Sequence, residues 1–532
     1  MIPSQSLELD LEKIALSNAG VANFYWPISL AELRLVRDEL YRELIVLAQE
    51  LLKTDERAAD IFNIIFLHLF NEILAIYQAC LLKQRATAQG YHLSLSKDQR
   101  LLIALESNTM PQMPVFISKL EQGLQQLRPH RWPLRFLRDL VISSYEYISR
   151  IKLRKIDFKK DAVTIIIDQH AQHWAKQTRA KVTYVRESKW FAPLATIKSV
   201  NAPSAAILQA IKKVFLSNGN LLPTVFEKYL INLIEQAFAA VNTHIDQINP
   251  NMLPQELWTP TGGSLWARIL SNLVRKSGGR VTRFDHAGGV CFFKDLAEMG
   301  PRELENCDTY VTFSKKQAQN LTQYFPKNML IHNTFPAIEF STNCVFSKVL
   351  RKSYRKNINR KNYKIMYVPT IFPGEKVDTI SGFMSDTVLL DWQIRLLNQL
   401  QSWSYTAIAK PHPEGKQAPQ HRIQSICNNL VNEKRFEKAL DDADILLLDM
   451  PASTTFPVAL ISHKPIVYLH FSFLQLNDEF LALLDKRCAV VNCWLDENNR
   501  AQVNWEELHL AIETCFHKRD RQIVKDYYNC NN

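Results

Sequence analysis

The sequence predicts a mixed α/β protein in which two parallel-sheet domains follow a helical N-terminal region. Three observations carry this reading. From about residue 160, short β-branched runs alternate with amphipathic stretches, the pattern of strand–helix crossovers. The alternation breaks at a basic stretch near 345–363 and then restarts. Polar motifs fall where the expected strands end, the edge at which open parallel sheets hold ligands.

A chain of 532 residues is too long for one ordinary core. With 47% hydrophobic and 22% charged residues it reads as globular, not disordered. Only 14 glycines argue against a Gly-rich phosphate loop and against linker-rich architectures. The N-terminus has no basic segment leading into an apolar one, so no secretory signal is expected. The most apolar long window, Ile61–Leu82, carries Glu72 near its middle, which suits a buried or amphipathic helix better than a membrane span. Nine cysteines without CxxC pairing suggest reduced thiols and a cytoplasmic protein.

The net charge of +11 is uneven. Lys348, Arg351, Lys352, Arg355, Lys356, Arg360, Lys361 and Lys364 lie together with no acid among them. One reading is a solvated interdomain linker. The other is peripheral contact of residues 348–364 with the inner membrane face, at roughly 1 kcal/mol per basic residue near anionic lipid. Nucleic acid is not an expected partner, since only Tyr354 and Tyr363 accompany the basic residues and no recognition motif follows.

Residues 1–160 read as helical. Leu33, Val36, Leu40, Leu44, Leu47 and Leu51 form one stripe of a helix over Ala31–Leu52. Further helices are expected over Asp60–Leu82, from Ser96 and over Trp132–Tyr147. In residues 161–345, strands are expected at Val163–Ile167, Glu256–Thr259, Arg280–Phe284 and Thr309–Phe313. Helices are expected at Ser204–Phe215, Leu222–Val241, Leu265–Lys276 and Lys315–Tyr324. After the 346–363 linker, residues 364–532 repeat the grammar. Strands are expected at Lys364–Pro369, Thr406–Lys410, Ala443–Leu448 and Pro465–Leu469, with helices at Thr387–Trp403, Arg435–Asp441 and Phe456–Ser462.

Two strand-end motifs suit an anionic ligand. In Lys410-Pro-His412-Pro-Glu414, the prolines fix the backbone that presents His412. His412 could donate to phosphate, Lys410 adds positive charge and Glu414 could accept from ribose hydroxyls. The bland reading is a histidine capping a loop. Ser453, Thr454 and Thr455 follow Asp449 at an expected helix start, where hydroxyls, free N–H groups and the helix dipole favour a diphosphate. Ordinary N-capping uses the same residues.

This order of motifs, closing on His463-Lys-Pro-Ile-Val-Tyr-Leu469, resembles the C-terminal domain of bacterial surface-polysaccharide transferases. These comprise CDP-glycerol glycerophosphotransferases, capsule Kdo transferases and polysialyltransferases. The resemblance covers about 364–470 well and 255–330 loosely, and does not reach the helical N-terminus. It implies a GT-B-like fold, two Rossmann-like domains facing a cleft, and a cytidine-activated donor whose phosphate meets His412, Ser453 and Thr454. Asp285-His286-Ala-Gly288-Gly289 is similar to the families' HG-containing loop, but an alanine stands between His286 and the glycines. A catalytic base is implied there, at His286 or Asp285; alternatively both brace the Gly288-Gly289 turn. Thr261-Gly262-Gly263 is similar to another cleft-lining turn, or is a plain βα turn.

The expected division is a helical region at 1–160, an acceptor domain at 161–345, a linker at 346–363 and a nucleotide-donor domain at 364–532. The expected function is inverting, metal-independent transfer of a sugar or polyol phosphate from a nucleotide-activated donor to a glycan or lipid-linked acceptor, such as lipopolysaccharide or capsule. No cofactor is expected beyond the donor. His170 and His173 with Asp168 lack a third well-placed metal ligand. The alternatives are a non-hydrolysing nucleotide-sugar 2-epimerase and a non-catalytic nucleotide- or glycan-binding protein.

Overall fold

The computed structural model describes residues 5–15, 24–123, 161–350 (apart from 287, 289 and 298) and 363–530 (apart from 370, 373, 375–383, 412–422, 424–425, 428 and 431–434). The expected helix at Trp132–Tyr147 and most of the basic stretch lie outside the described residues.

The N-terminal region opens with strand β1 (Gln5–Glu8) and helix α1 (Leu11–Ala15). Helix α2 (Leu30–Thr54) starts at a capping box. Ser29 Oγ accepts from Glu32 N at 3.2 Å and Glu32 returns a carboxylate oxygen to Ser29 N. The leucine stripe of α2 is buried as its spacing requires. Helix α3 (Glu56–Ala88) follows after Asp55 alone and is, at 33 residues, about 50 Å long. It is long and apolar enough to cross a membrane, but 78% of its most apolar window is buried inside the protein. Glu72 within it is held by Arg100 at 2.6 Å and by the Tyr229 hydroxyl at 2.6 Å. Strand β2 (Tyr91–Ser94) pairs in parallel with β1, and α4 (Arg100–Ser107) and α5 (Val115–Gln122) complete the region.

The first large sheet has the order β4–β3–β5–β6–β7–β8, all parallel. Its strands are β3 (Ala162–Thr164), β4 (Val182–Tyr184), β5 (Glu256–Thr259), β6 (Arg280–Phe284), β7 (Thr309–Thr312) and β8 (Ala337–Phe340). Helix α6 (Gln169–Thr178) joins β3 to β4, α7 (Ser204–Ser217) and α8 (Thr224–Gln247) lie between β4 and β5, α9 (Leu265–Lys276) follows β5 and α10 (Lys315–Tyr324) follows β7. The second sheet has the order β11–β10–β9–β12–β13–β14–β15, parallel except for β14 with β15. Its strands are β9 (Lys364–Val368), β10 (Thr406–Ala409), β11 (Asn429–Leu430), β12 (Ile445–Leu448), β13 (Ile466–Phe471), β14 (Ala489–Leu495) and β15 (Ala501–Val503). Helices α11 (Asp386–Ser402), α12 (Thr455–Ile461), α13 (Asp478–Arg487), α14 (Trp505–Thr514) and α15 (Gln522–Tyr528) accompany it. The α/β class expected from the sequence is what the chain adopts.

Two expectations change. Helices α2, α3 and α5 pack on α7 and α8, so the N-terminal helices share a core with the β4–β5 crossover instead of standing apart. An ionic seam crosses the same boundary. Asp60 of α3 meets His332 and Lys276, and His332 Nδ1 lies 2.7 Å from Glu305. The segment expected to be helical at Arg435–Asp441 is so, as one α-helical turn, Phe436–Ala439, continued as 3-10 helix over Leu440–Asp442. The expectation of nine reduced thiols fails at one pair. Cys344 and Cys530 are joined by a disulfide, with the other seven cysteines free and buried. The pairing was invisible in the sequence because 186 positions separate the partners.

Candidate functional site

The chain brings one strand-end loop of each sheet together. After β6, Asp285 turns the backbone and Gly288 adopts φ +67°, which a side chain would strain. A Cβ on Gly288 would also stand 3.1 Å from Pro457 of α12 and 3.2 Å from Phe313. The loop carrying His286 therefore packs against the helix that the Ser453–Thr455 segment opens. The seam continues behind it. Asn477 N donates to Phe292 O at 2.7 Å, Lys294 N donates to Gln475 O at 2.8 Å, and the Phe292 and Phe480 rings stack at 3.9 Å.

Helix α15, at the far end of the described chain, locks this loop. Tyr528 donates its hydroxyl to Gly288 O at 3.2 Å, and Gln317 of α10 donates to both Gly288 O and Tyr527 O. Asn529 reaches Phe313 O, and the Cys344–Cys530 bond closes the same corner.

Within the loop the two proposed bases separate. Asp285 is 1% exposed and its Oδ1 accepts from Gly288 N at 2.8 Å, so its carboxylate braces the turn. Its carbonyl receives His170 Nδ1 at 2.8 Å, while His170 Nε2 meets Ser341 Oγ at 2.9 Å. Burial pushes the His170 imidazole down to about 4, so it is neutral, and both of its nitrogens are engaged. His286 itself is exposed. Gly289 lies outside the described residues.

On the second sheet, Lys410 directly follows β10 and is buried; its ammonium donates to Pro411 O at 3.4 Å, and no carboxylate among the described residues pairs with it. Burial lowers its pKa, since a charged amine loses hydration there. His412 and Glu414 lie outside the described residues. Ser453 Oγ accepts from Thr455 N at 3.1 Å and contacts Thr455 Oγ1. Thr454 is exposed and makes no side-chain cap. The helix they open has only seven residues, so its dipole counts for less than the hydroxyls around it.

Two carboxyls were not foreseen. Asp449, at the end of β12, accepts from the Tyr367 hydroxyl beneath the Ser453 turn. Burial pushes it up to about 6, and donors from Tyr367 and Trp392 offset this only in part. Glu187 begins the 3-10 turn just after β4; burial pushes it up to about 7, partly countered by a hydrogen bond from Ser264. Ser264 closes the Thr261-Gly262-Gly263 turn, so Glu187 stands at the carboxyl edge of the first sheet. Neither was legible in sequence, because the signal in each case is burial.

The Thr261–Gly263 turn has its own brace. Glu303 accepts from Gly262 N at 3.0 Å and from Thr261 Oγ1 at 3.3 Å, and Thr261 Oγ1 accepts from Gly263 N at 3.0 Å. A Cβ on Gly262 would meet Arg302 O at 1.8 Å, so close packing accounts for that glycine. Among the described residues no group of three or more His, Cys, Asp or Glu side chains is placed to hold a metal ion. Neither a model of a known protein family nor a curated protein matches this chain.

Proposed function

We propose that the chain is an inverting transferase of GT-B-like arrangement that moves a sugar or polyol phosphate from a nucleotide-activated donor to a glycan acceptor. The observation that carries this reading is the contact of the His286 loop with α12. His286, exposed, belongs to the loop that packs through Gly288 on Pro457, in the helix that Ser453–Thr455 open.

The chemistry needs a base for the acceptor hydroxyl and charge stabilisation for the departing nucleotide. His286 takes the acceptor proton as the acceptor oxygen bonds to the donor: for a sugar, to its anomeric carbon as the bond to the nucleotide phosphate breaks; for a polyol phosphate, to its phosphorus as the phosphoanhydride bond to the leaving nucleoside monophosphate breaks. Lys410 and the hydroxyls of Ser453 and Thr455 receive the phosphate's negative charge. The buried position of Lys410 strengthens that attraction, because the dielectric there is low. Asp285 is a positioning residue that holds the loop. Glu187, titrating near neutrality at the same sheet's edge, is the second candidate base.

The test is a thermal-shift screen against CMP, CDP, UDP and GDP. A ligand at 100 times its dissociation constant stabilises by roughly 2.7 kcal/mol. One nucleotide should shift the melting temperature, and Lys410→Ala should reduce the shift. With the matching donor, His286→Ala should lower turnover by about a hundredfold or more and spare nucleotide binding. Intact turnover in that variant with loss in Glu187→Gln would transfer the base role. No shift with any nucleotide would sink the reading, and binding without turnover would favour a non-catalytic role.

A further inference from the structure

A cavity of about 680 Å³ lies away from the His286 loop, between the N-terminal region and the second sheet. We infer that it binds a saccharide, with hydroxyl or amino groups donating to its carboxylates. Its volume falls within the ~300–1,000 Å³ typical of small-molecule sites.

The walls come from several elements: Ala75, Gln78, Ala79 and Leu82 of α3, the turn from β1 into α1, Trp26, the turn from β2 to α4, and Ser385–Thr387 at the start of α11. Helix α11 follows β9, which lies between β10 and β12 in the second sheet. The helix therefore begins at the carboxyl edge of that sheet, the edge that also carries Lys410 and Ser453–Thr455.

The lining is unusual for this chain. Asp10, Glu12, Asp98 and Asp386 face Lys97 alone, four acids to one base in a protein of net charge +11. Such a lining repels a phosphorylated ligand and accepts hydrogen bonds from hydroxyl or ammonium groups. Trp26, 6% exposed, and Gln78, whose amide both donates and accepts, also line it. Trp26 is fixed by its backbone: its N–H donates to Asn498 O at 3.0 Å and its carbonyl accepts from Asn499 Nδ2 at 2.7 Å. A tryptophan among acceptors suits a sugar ring, which has an apolar C–H face and donors around its rim. A polyamine would satisfy the acids but not use the indole or the amide.

Calling this the acceptor's place rests on the transferase reading; saccharide binding itself does not. The test titrates the full chain with maltotriose, chitotriose, triacetylchitotriose, spermidine and CDP, following tryptophan fluorescence and saturation-transfer NMR. At least one trisaccharide should bind saturably. Gln78→Leu with Asp98→Asn should weaken it about tenfold or more, while Lys410→Ala leaves it unchanged. Melting temperatures of the variants establish that they fold. No trisaccharide binding up to about 10 mM, binding indifferent to both cavity substitutions, or spermidine binding alone would each overturn the inference. CDP binding that fails while a trisaccharide binds would sink the transferase reading and leave this site standing.

Discussion

His332→Gln tests the seam that fastens α3 to the first sheet. In the native protein His332 lies between Asp60 and Glu305, whose side chains are each 2% exposed while its own is 21% exposed. Burial alone would lower its pKa. The hydrogen bonds and charges of the two carboxylates outweigh that and raise it from 6.5 to about 9. A histidine raised in this sense stabilises fully below its unfolded value, and the contribution fades as pH rises through the folded one. From these two values the contribution is about 3 kcal/mol at pH 6, about 2.6 kcal/mol at pH 7 and about 0.4 kcal/mol at pH 9. Glutamine removes the charge and keeps a donor. The assay is urea unfolding of both proteins from pH 6 to pH 9.5. The gap between them should shrink across that range, nearly to nothing. A constant or widening gap would refute the charge argument.

Four further outcomes follow from named contacts. Asp449, raised from 3.8 to about 6, costs the native state stability as pH climbs from about 4 to about 6. Asp449→Asn should flatten that window in pH-dependent unfolding, by up to about 3 kcal/mol. Gly262→Ala should destabilise by about 3 kcal/mol or more, since its Cβ would meet Arg302 O; a melting temperature equal to wild type would contradict the packing. Titration of the denatured, unreduced protein should find seven free thiols, rising to nine after reduction. With 186 positions between Cys344 and Cys530, loop-closure entropy predicts that reduction lowers stability by about 5 kcal/mol, readable as a lower urea midpoint.

The central strands and long helices were legible because each carries its own local signal. Glu256–Thr259, Arg280–Phe284 and Leu265–Lys276 were read with the bounds the structure has. Strands buried on both faces are apolar runs, and helices facing a core show spaced stripes. The edge strands β4, β8 and β15 escaped, being short, and in β4 and β8 no residue is fully buried, so the hydrophobic signal weakens. The helix over Asp60–Leu82 was read as buried, but not that its burial comes from α2, α8 and α9.

What the sequence determined by itself is the α/β class, most central elements and the strand ends at which chemistry could sit. Local periodicity and turn chemistry act between residues a few positions apart, and such signals survive in a single chain. Only the tertiary structure decided which strand ends meet. It set Gly288 against Pro457, gave Asp285 the bracing part of the two the sequence offered, and buried Glu187 and Asp449 enough to shift their titration. It also joined Cys344 to Cys530. Each of these depends on contacts between residues far apart in the chain, and on the loss of water around them, which no run of neighbouring residues encodes.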